Sequence, residues 1–251
     1  MDLGLKGKRA VITGASRGIG RAIARAFAAE GASVALCARG EDALYETADH
    51  IRQAGVPVHA AVCDAGDHAA LDAFLDGARD ALGGVEILVN NASGFAFGAE
   101  EEAWRTSFEV DVLASVHASG KVIPWFQESG GGAIIHISST AALEAPGPLA
   151  YSAMKAALFS HAKNIAVAHA ADGIRANCIA PGAVEFAGGI WADAKENNRE
   201  VYDAMLATVP GGRMVNDEEV AAATVFLASA RASGINGAVL SVDGAQHKGN
   251  L

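Results

Sequence analysis

The stretch Arg9-Ala10-Val11-Ile12-Thr13-Gly14-Ala15-Ser16-Arg17-Gly18-Ile19-Gly20 decides the fold of this chain. Its first five residues form a short apolar run, and from Gly18 an Ala-rich segment continues to Glu30 before Gly31 stops it. The pattern is that of a strand, a glycine turn and a helix over about 18–30. Glycines here let the backbone double back tightly and come close to a pyrophosphate, whose negative charge suits a helix N-terminus. Their order is G-x-x-x-G-x-G, not the G-x-G-x-x-G of the more familiar dinucleotide fingerprint.

The same alternation continues outward from this turn. Further strands are predicted over 33–37, 58–62, 86–89, 134–137, 173–180 and 239–242, and helices over 41–54, from about Asp67, and over 101–127, 151–171 and 217–229, the last with Asp217 as N-cap. Strands separated by helices predict an α/β fold of the Rossmann type: one doubly wound domain over 1–251, with a mostly parallel seven-stranded sheet and helices on both faces. With 251 residues and 51% hydrophobic content, the chain can bury a substantial core, and it contains no repeat or low-complexity run. A net charge of −10 disfavours nucleic acid and anionic membranes as partners. The N-terminal residues lack the basic and apolar regions of a signal peptide, and no apolar stretch is long enough to span a membrane, so a cytoplasmic protein is expected. Cys37, Cys63 and Cys178 have no metal-like spacing and are expected to be buried structural thiols, with no metal bound.

The chemistry concentrates in Tyr151-Ser152-Ala153-Met154-Lys155. Residues four apart on a helix share a face, so hydroxyl and ammonium look into one site. A cation ~5 Å from a phenol, at an effective dielectric of ~20, favours the phenolate by ~3 kcal/mol before desolvation opposes it. Proton exchange with a bound oxygen then becomes feasible near neutral pH. Upstream, Ile134-Ile135-His136-Ile137-Ser138-Ser139 brings two hydroxyls to a strand end, and a Gly/Pro loop over 144–148 leads back to Tyr151.

Thr13-Gly14-x-x-x-Gly18-x-Gly20, Asn90-Asn91-Ala92-Ser93, the strand-end serine, Tyr151-x-x-x-Lys155 and Pro181-Gly182 stand in one order and spacing that resembles the short-chain dehydrogenase/reductase family, from about residue 5 to 245. The resemblance implies a nicotinamide cofactor bound by Gly14, Ser16, Arg17, Ile19, Asp64, Asn91, Pro181, Gly182 and Val184, with Tyr151 and Lys155 also touching it. It assigns the catalytic roles to a serine, Tyr151, Lys155 and a fourth position that falls on Asp111. Spacing to the tyrosine selects Ser138, whereas strand register selects Ser139, and register is the stricter constraint, so Ser139 is expected. Asp64 is a plain helix N-cap or, as the resemblance implies, a partner of the adenine amino group. A mobile lid is implied over about 186–212, and a homotetramer built through the two long helices.

Several residues depart from the family pattern. The acid that favours NAD at the end of the second strand is replaced by Ala38, and Arg39 follows it. Arg17 and Arg39 together form a clamp for a 2′-phosphate, so NADP(H) is expected over NAD(H). Asp111 stands where the family has asparagine; the backbone carbonyl survives, but a carboxylate beside Lys155 offsets the field on Tyr151 and predicts an alkaline optimum for alcohol oxidation. Ser93 replaces a glycine, and Phe186 replaces a threonine whose hydroxyl anchors the carboxamide in the family. Phe95 and Phe97 are core packing or substrate wall, while Trp191 is lid core, subunit contact or substrate wall. With Phe186, these aromatics predict a bulky apolar or aromatic ketone as the small-molecule carbonyl substrate, reduced to a secondary alcohol or formed from it. The alternatives are a 3-oxoacyl-carrier-protein reductase or, from another class, an NADP(H)-binding regulator whose catalysis has decayed.

Overall fold

A computed structural model describes residues 2–144 and 149–250, so the loop expected over 144–148 lies, beyond Glu144, outside the described residues. In chain order the elements are β1 (Arg9–Thr13), α1 (Gly18–Ala29), β2 (Ser33–Ala38), α2 (Glu41–Arg52), β3 (Val58–Val62), α3 (His68–Leu82), β4 (Ile87–Asn90), α4 (Glu101–Ser107) and α5 (Ala114–Ser129). They continue with β5 (Gly132–Ile137), α6 (Ala150–His169), β6 (Ile174–Pro181), β7 (Val184–Glu185), α7 (Ile190–Asn197), α8 (Arg199–Leu206), β8 (Val215–Asn216), α9 (Asp217–Ala228) and β9 (Val239–Val242).

Seven strands form one sheet in the order β3-β2-β1-β4-β5-β6-β9, and every neighbouring pair is parallel. Parallel pairing demands crossovers, and these lay helices on both faces. Alternation along each strand feeds the two cores. Ala10, Ile12, Ile135 and Ile137 pack with Ile23 and Phe27 of α1, Leu44 of α2 and Val220 of α9 on one face. Val11 and Ile134 pack with Leu71 and Leu75 of α3, Val122 and Phe126 of α5, and Leu158 of α6 on the other. The strand order reverses between β1 and β4, and at such a switch point the carboxyl ends of the strands open a crevice that takes the ligand. The glycine turn after β1 and the Asn-Asn turn after β4 both lie there.

Two expectations need correction. The helix predicted over 101–127 is broken into α4, a π-helical segment Phe108–Leu113 and α5. Uniform helical composition hides this from a periodicity count, because one wide turn does not interrupt the apolar pattern. The N-cap of α9 is Asn216, one residue before Asp217: its side chain accepts from Glu219 N while the Glu219 carboxylate accepts from Asn216 N, a reciprocal capping box.

After β6 the chain leaves the main sheet and returns to it as β9. β7 and β8 pair with each other, and α7 and α8 lie between them in sequence. This segment has its own small apolar cluster of Ala183, Ala194, Tyr202 and Met214, with Trp191, Met205 and Leu206 packed against it.

Candidate active site

The glycine turn is shaped by close backbone approach. A Cβ on Gly20 would lie 2.3 Å from the Gly14 carbonyl oxygen, so a side chain at that position would push the turn open. Asn91 ties this turn to the end of β4, with Nδ2 donating to the carbonyl oxygens of Thr13 and Gly14, each at 2.9 Å. Thr13 Oγ1 accepts from the backbone N–H groups of Asn91 (3.0 Å) and Ala92 (3.1 Å). The Thr13 hydroxyl, whose role the motif by itself does not reveal, thus joins the two halves of the crevice. Ser16 belongs to the same turn, and its carbonyl accepts from Thr47 Oγ1 at 3.2 Å, which fastens α2 to it.

The first turn of α1, which contains Ile19, has no side-chain cap at Arg17 and no acidic residue. Asp67 caps α3 and Asn216 caps α9. An uncapped N-terminus presents backbone donors to an anion, so this turn fits the pyrophosphate of a dinucleotide. Ala38 ends β2, and the Arg39 and Arg17 side chains are both exposed. Asp64 is exposed after β3, where its Oδ1 accepts from Gly66 N at 3.0 Å, and the capping role falls to Asp67. Pro181 closes β6; Gly182 N donates to the Val242 carbonyl at 3.0 Å, and Val184 in β7 pairs with Val215.

Tyr151 and Lys155 lie one turn apart on α6, and the Lys155 ammonium is 5.6 Å from the centre of the Tyr151 ring. Lys155 is buried, its Nζ donating to the Ile137 carbonyl at 2.9 Å and lying 3.0 Å from Asp111 Oδ1. That second contact is charge to charge, off the line of an N–H hydrogen bond, and Asp111 Oδ1 has no hydrogen-bond partner among the described residues. Burial pushes the Lys155 ammonium toward neutrality, but the carboxylate of Asp111 and the phenol of Tyr151 outweigh it and hold the pKa above its ordinary value. Asp111 is itself wholly buried; its Oδ2 accepts from Gly94 N at 3.3 Å and its carbonyl from Ser115 Oγ at 3.0 Å.

The two candidate serines differ sharply. Ser138 is buried and its hydroxyl donates to the Lys155 carbonyl at 2.7 Å, so it serves to pin β5 to α6. Ser139 is only half-buried, with Oγ accepting from Ala141 N at 3.2 Å in the short turn Thr140–Ala142 that packs on α6.

The four aromatics split into separate places. Phe95 and Phe97 surround Tyr151, with ring centres 6.0 and 4.8 Å from it and 5.7 Å from each other. Phe186 instead rests on the glycine turn: a Cβ on Gly18 would lie 2.6 Å from its ring, and one on Gly189 2.9 Å. Trp191 packs into the small cluster of the segment between β7 and β8. Among the described residues, no ring pairing joins Phe186 or Trp191 to Tyr151.

A third group went unnoticed in the sequence. His136 is wholly buried behind the site, its Nδ1 3.2 Å from Asn90 Nδ2, which also donates to Ser119 Oγ at 3.3 Å. The ring of His161 lies 5.1 Å away. Burial, reinforced by the positive potential of His161 and Lys155, pushes His136 down to about 3, so it is neutral at physiological pH. A histidine inside an apolar strand was the only available signal.

Comparison with known proteins decides the family. The model described as enoyl-(acyl carrier protein) reductase, one of the short-chain dehydrogenase/reductase models, matches residues 14–247. The chain is a short-chain dehydrogenase/reductase. It is 37% identical over 249 residues to a 7α-hydroxysteroid dehydrogenase of Escherichia coli K12, covering 97% of this chain and 95% of that one. A structure of a 7α-hydroxysteroid dehydrogenase complexed with NADH and 7-oxo glycochenodeoxycholic acid superposes with a TM-score of 0.89 at 36% identity, over 97% of this chain and 95% of that one. L-sorbose reductase from Gluconobacter frateurii, complexed with NADPH and L-sorbose, gives a TM-score of 0.90 at 36% identity, over 99% of this chain and all of the other. Family membership makes the protein an oxidoreductase that interconverts hydroxyl and carbonyl groups with a nicotinamide cofactor. Among the described residues, no helix is long and apolar enough to cross a membrane, and no group of three or more metal-ligating side chains is assembled.

Proposed function

We propose that the protein is an NADP(H)-dependent reductase of a bulky, apolar or aromatic ketone, able to run in the oxidative direction, and that it works as a homotetramer in the cytoplasm. The observation that carries this reading is the placing of Phe95 and Phe97, both exposed, against the Tyr151 ring, which gives the site an apolar aromatic wall. The nicotinamide cofactor supplies or accepts the hydride. Ser139 holds the carbonyl oxygen. Tyr151 gives that oxygen its proton in reduction and removes it in oxidation. Lys155, kept charged by Asp111, would stabilise the phenolate and hold the nicotinamide ribose when the cofactor is bound. Arg17 and Arg39, both exposed beside an acid-free strand end, favour a 2′-phosphate. Exposed Val116 on α5 and Val167 on α6 suit burial between subunits.

The experiment is NADPH oxidation, followed by absorbance, against aryl ketones, cyclic diketones, 3-oxoacyl thioesters and sugars, with NADH in parallel and Tyr151→Phe as control. Turnover of aryl or cyclic ketones that vanishes in the control and has a lower KM for NADPH than for NADH supports the proposal. A preference for 3-oxoacyl thioesters moves the assignment to the carrier-protein reductase, and tight NADPH binding with no turnover moves it to a regulator. Because the Asp111 carboxylate offsets the field of Lys155 on Tyr151, Asp111→Asn is expected to move the pH optimum of alcohol oxidation downward. An unchanged pH–rate profile removes Asp111 from the electrostatics of the step.

A further inference from the structure

We propose that Asp111 is a positioning residue that sets substrate selectivity: one carboxylate oxygen serves Lys155 while the other tethers the aromatic loop 93–98 that forms the substrate wall. This rests on the ketone-reductase function proposed above. Asp111 lies in the π-helical segment Phe108–Leu113 and is wholly buried. Its Oδ1 is 3.0 Å from the Lys155 ammonium and its Oδ2 accepts from Gly94 N at 3.3 Å. Lys155 presents a positive charge and Gly94 a donor, and a carboxylate, negative and only accepting, matches both. An asparagine carries one acceptor oxygen and one donor group, so whichever way its amide turned, N–H would face N–H at Lys155 or at Gly94. The exchange of asparagine for aspartate therefore has a structural consequence that reaches beyond the lysine.

The loop needs such a tether. Phe95 has φ 50, in the left-handed region that a bulky side chain occupies only under strain. The surroundings hold it there from several sides. Gly94 N is bound by Asp111, Phe95 N donates to Ser93 Oγ at 3.3 Å, the Ala96 carbonyl accepts from Ser107 Oγ at 3.4 Å, and the Gly98 carbonyl accepts from Ala150 N at 3.2 Å. The strain does not serve to bury the rings, since Phe95 remains 56% and Phe97 43% exposed. It serves to turn them toward Tyr151. A flat apolar ring carrying a carbonyl gains contact with Phe95 and Phe97 as it reaches Tyr151; a small open-chain ketone reaches Tyr151 without the wall. Asp111 thereby couples discrimination between the two to the charge that drives proton transfer.

The test is Asp111→Ala, which removes the acceptor at Gly94 outright, measured as KM for 1-tetralone against KM for butanone and as hydrogen–deuterium exchange at the Gly94 amide. The expected result is a rise of about tenfold or more in the tetralone KM with a change below about threefold for butanone, and Gly94 exchange faster by about tenfold. A KM ratio that stays constant, or unchanged exchange at Gly94, overturns the tether. Ser93→Ala loosens the same loop without touching the lysine pair, so it should shift the KM ratio in the same direction while leaving the pH–rate profile in place. Should Asp111→Ala fail to fold, the KM ratio of Ser93→Ala and exchange at its Phe95 amide decide by the same criterion. The exchange measurement needs no turnover, so it tests the tether even if no ketone proves to be a substrate, an outcome that would instead overturn the proposed function.

Discussion

The proposed catalytic corner and the segment between β7 and β8 are built on opposite plans. In the corner, Lys155, Asp111 and Ser138 are buried, and their polar contacts cross from α6 to β5 and to the π-helical turn. In the segment, two polar contacts face solvent, Lys195 to Glu185 at 2.6 Å and Arg199 to Asp203 at 2.8 Å, and a third, Tyr202 to Glu185 at 2.7 Å, is part-buried. Buried pairs across distant elements hold a geometry rigidly, because breaking one leaves an uncompensated charge. Exposed pairs within one segment are replaced by water at little cost, so such a segment can move as a unit. The molecule thus separates a rigidly held corner around Lys155 from a segment whose polar contacts are weaker.

The largest expected effect tests the rigid half. Lys155→Met leaves the Asp111 carboxylate buried without its cation and is expected to cost about 3–5 kcal/mol of stability along with activity. Urea denaturation checks this, and the double variant Lys155→Met/Asp111→Leu should recover much of the loss. Equal loss in the single and double variants would break the contrast. Arg199→Ala, which removes an exposed pair of the segment, should leave Tm unmoved.

An intermediate effect comes from His136. Its folded pKa is about 3 against an ordinary value near 6.5, so between these limits the unfolded chain binds a proton that the folded one refuses. Stability then falls as pH drops from about 6.5 toward 3, by about 1.4 kcal/mol per pH unit for this one group. His136→Gln keeps an acceptor for Asn90 and should flatten the slope; His161, whose pKa burial also lowers, leaves part of it behind. Denaturation midpoints measured across that range decide the matter, and an unchanged slope would place the acid sensitivity elsewhere.

The smallest effect sharpens the other side. Tyr202→Phe removes the bond to Glu185 but keeps the ring in its cluster with Met214. The expected outcome is an unchanged midpoint of global unfolding with faster amide exchange confined to α7 and α8, measured by hydrogen–deuterium exchange. Exchange that accelerates equally in α6 would show that corner and segment are one cooperative unit.

The framework was legible because its signals are local. Apolar runs of strand length, the glycine turn at 14–20 and hydroxyl and ammonium four apart on one helix follow from backbone geometry within a few residues. They were enough to place the seven strands, the order of the motifs and the elements that carry Tyr151, Lys155 and Asn91. Tertiary structure alone decided what neighbours across long separations impose. It decided that the hydroxyl tied to the Lys155 carbonyl is Ser138's and that Asp111 reaches Gly94 as well as Lys155. It also decided that Phe186 lies on Gly18 and Trp191 in the small cluster, apart from Phe95 and Phe97. The physical reason is common to all of these. A side chain's type is set by its own codon, but its partner is set by register, a widened helical turn and packing between elements tens of residues apart, and none of these leaves a periodic trace in the sequence.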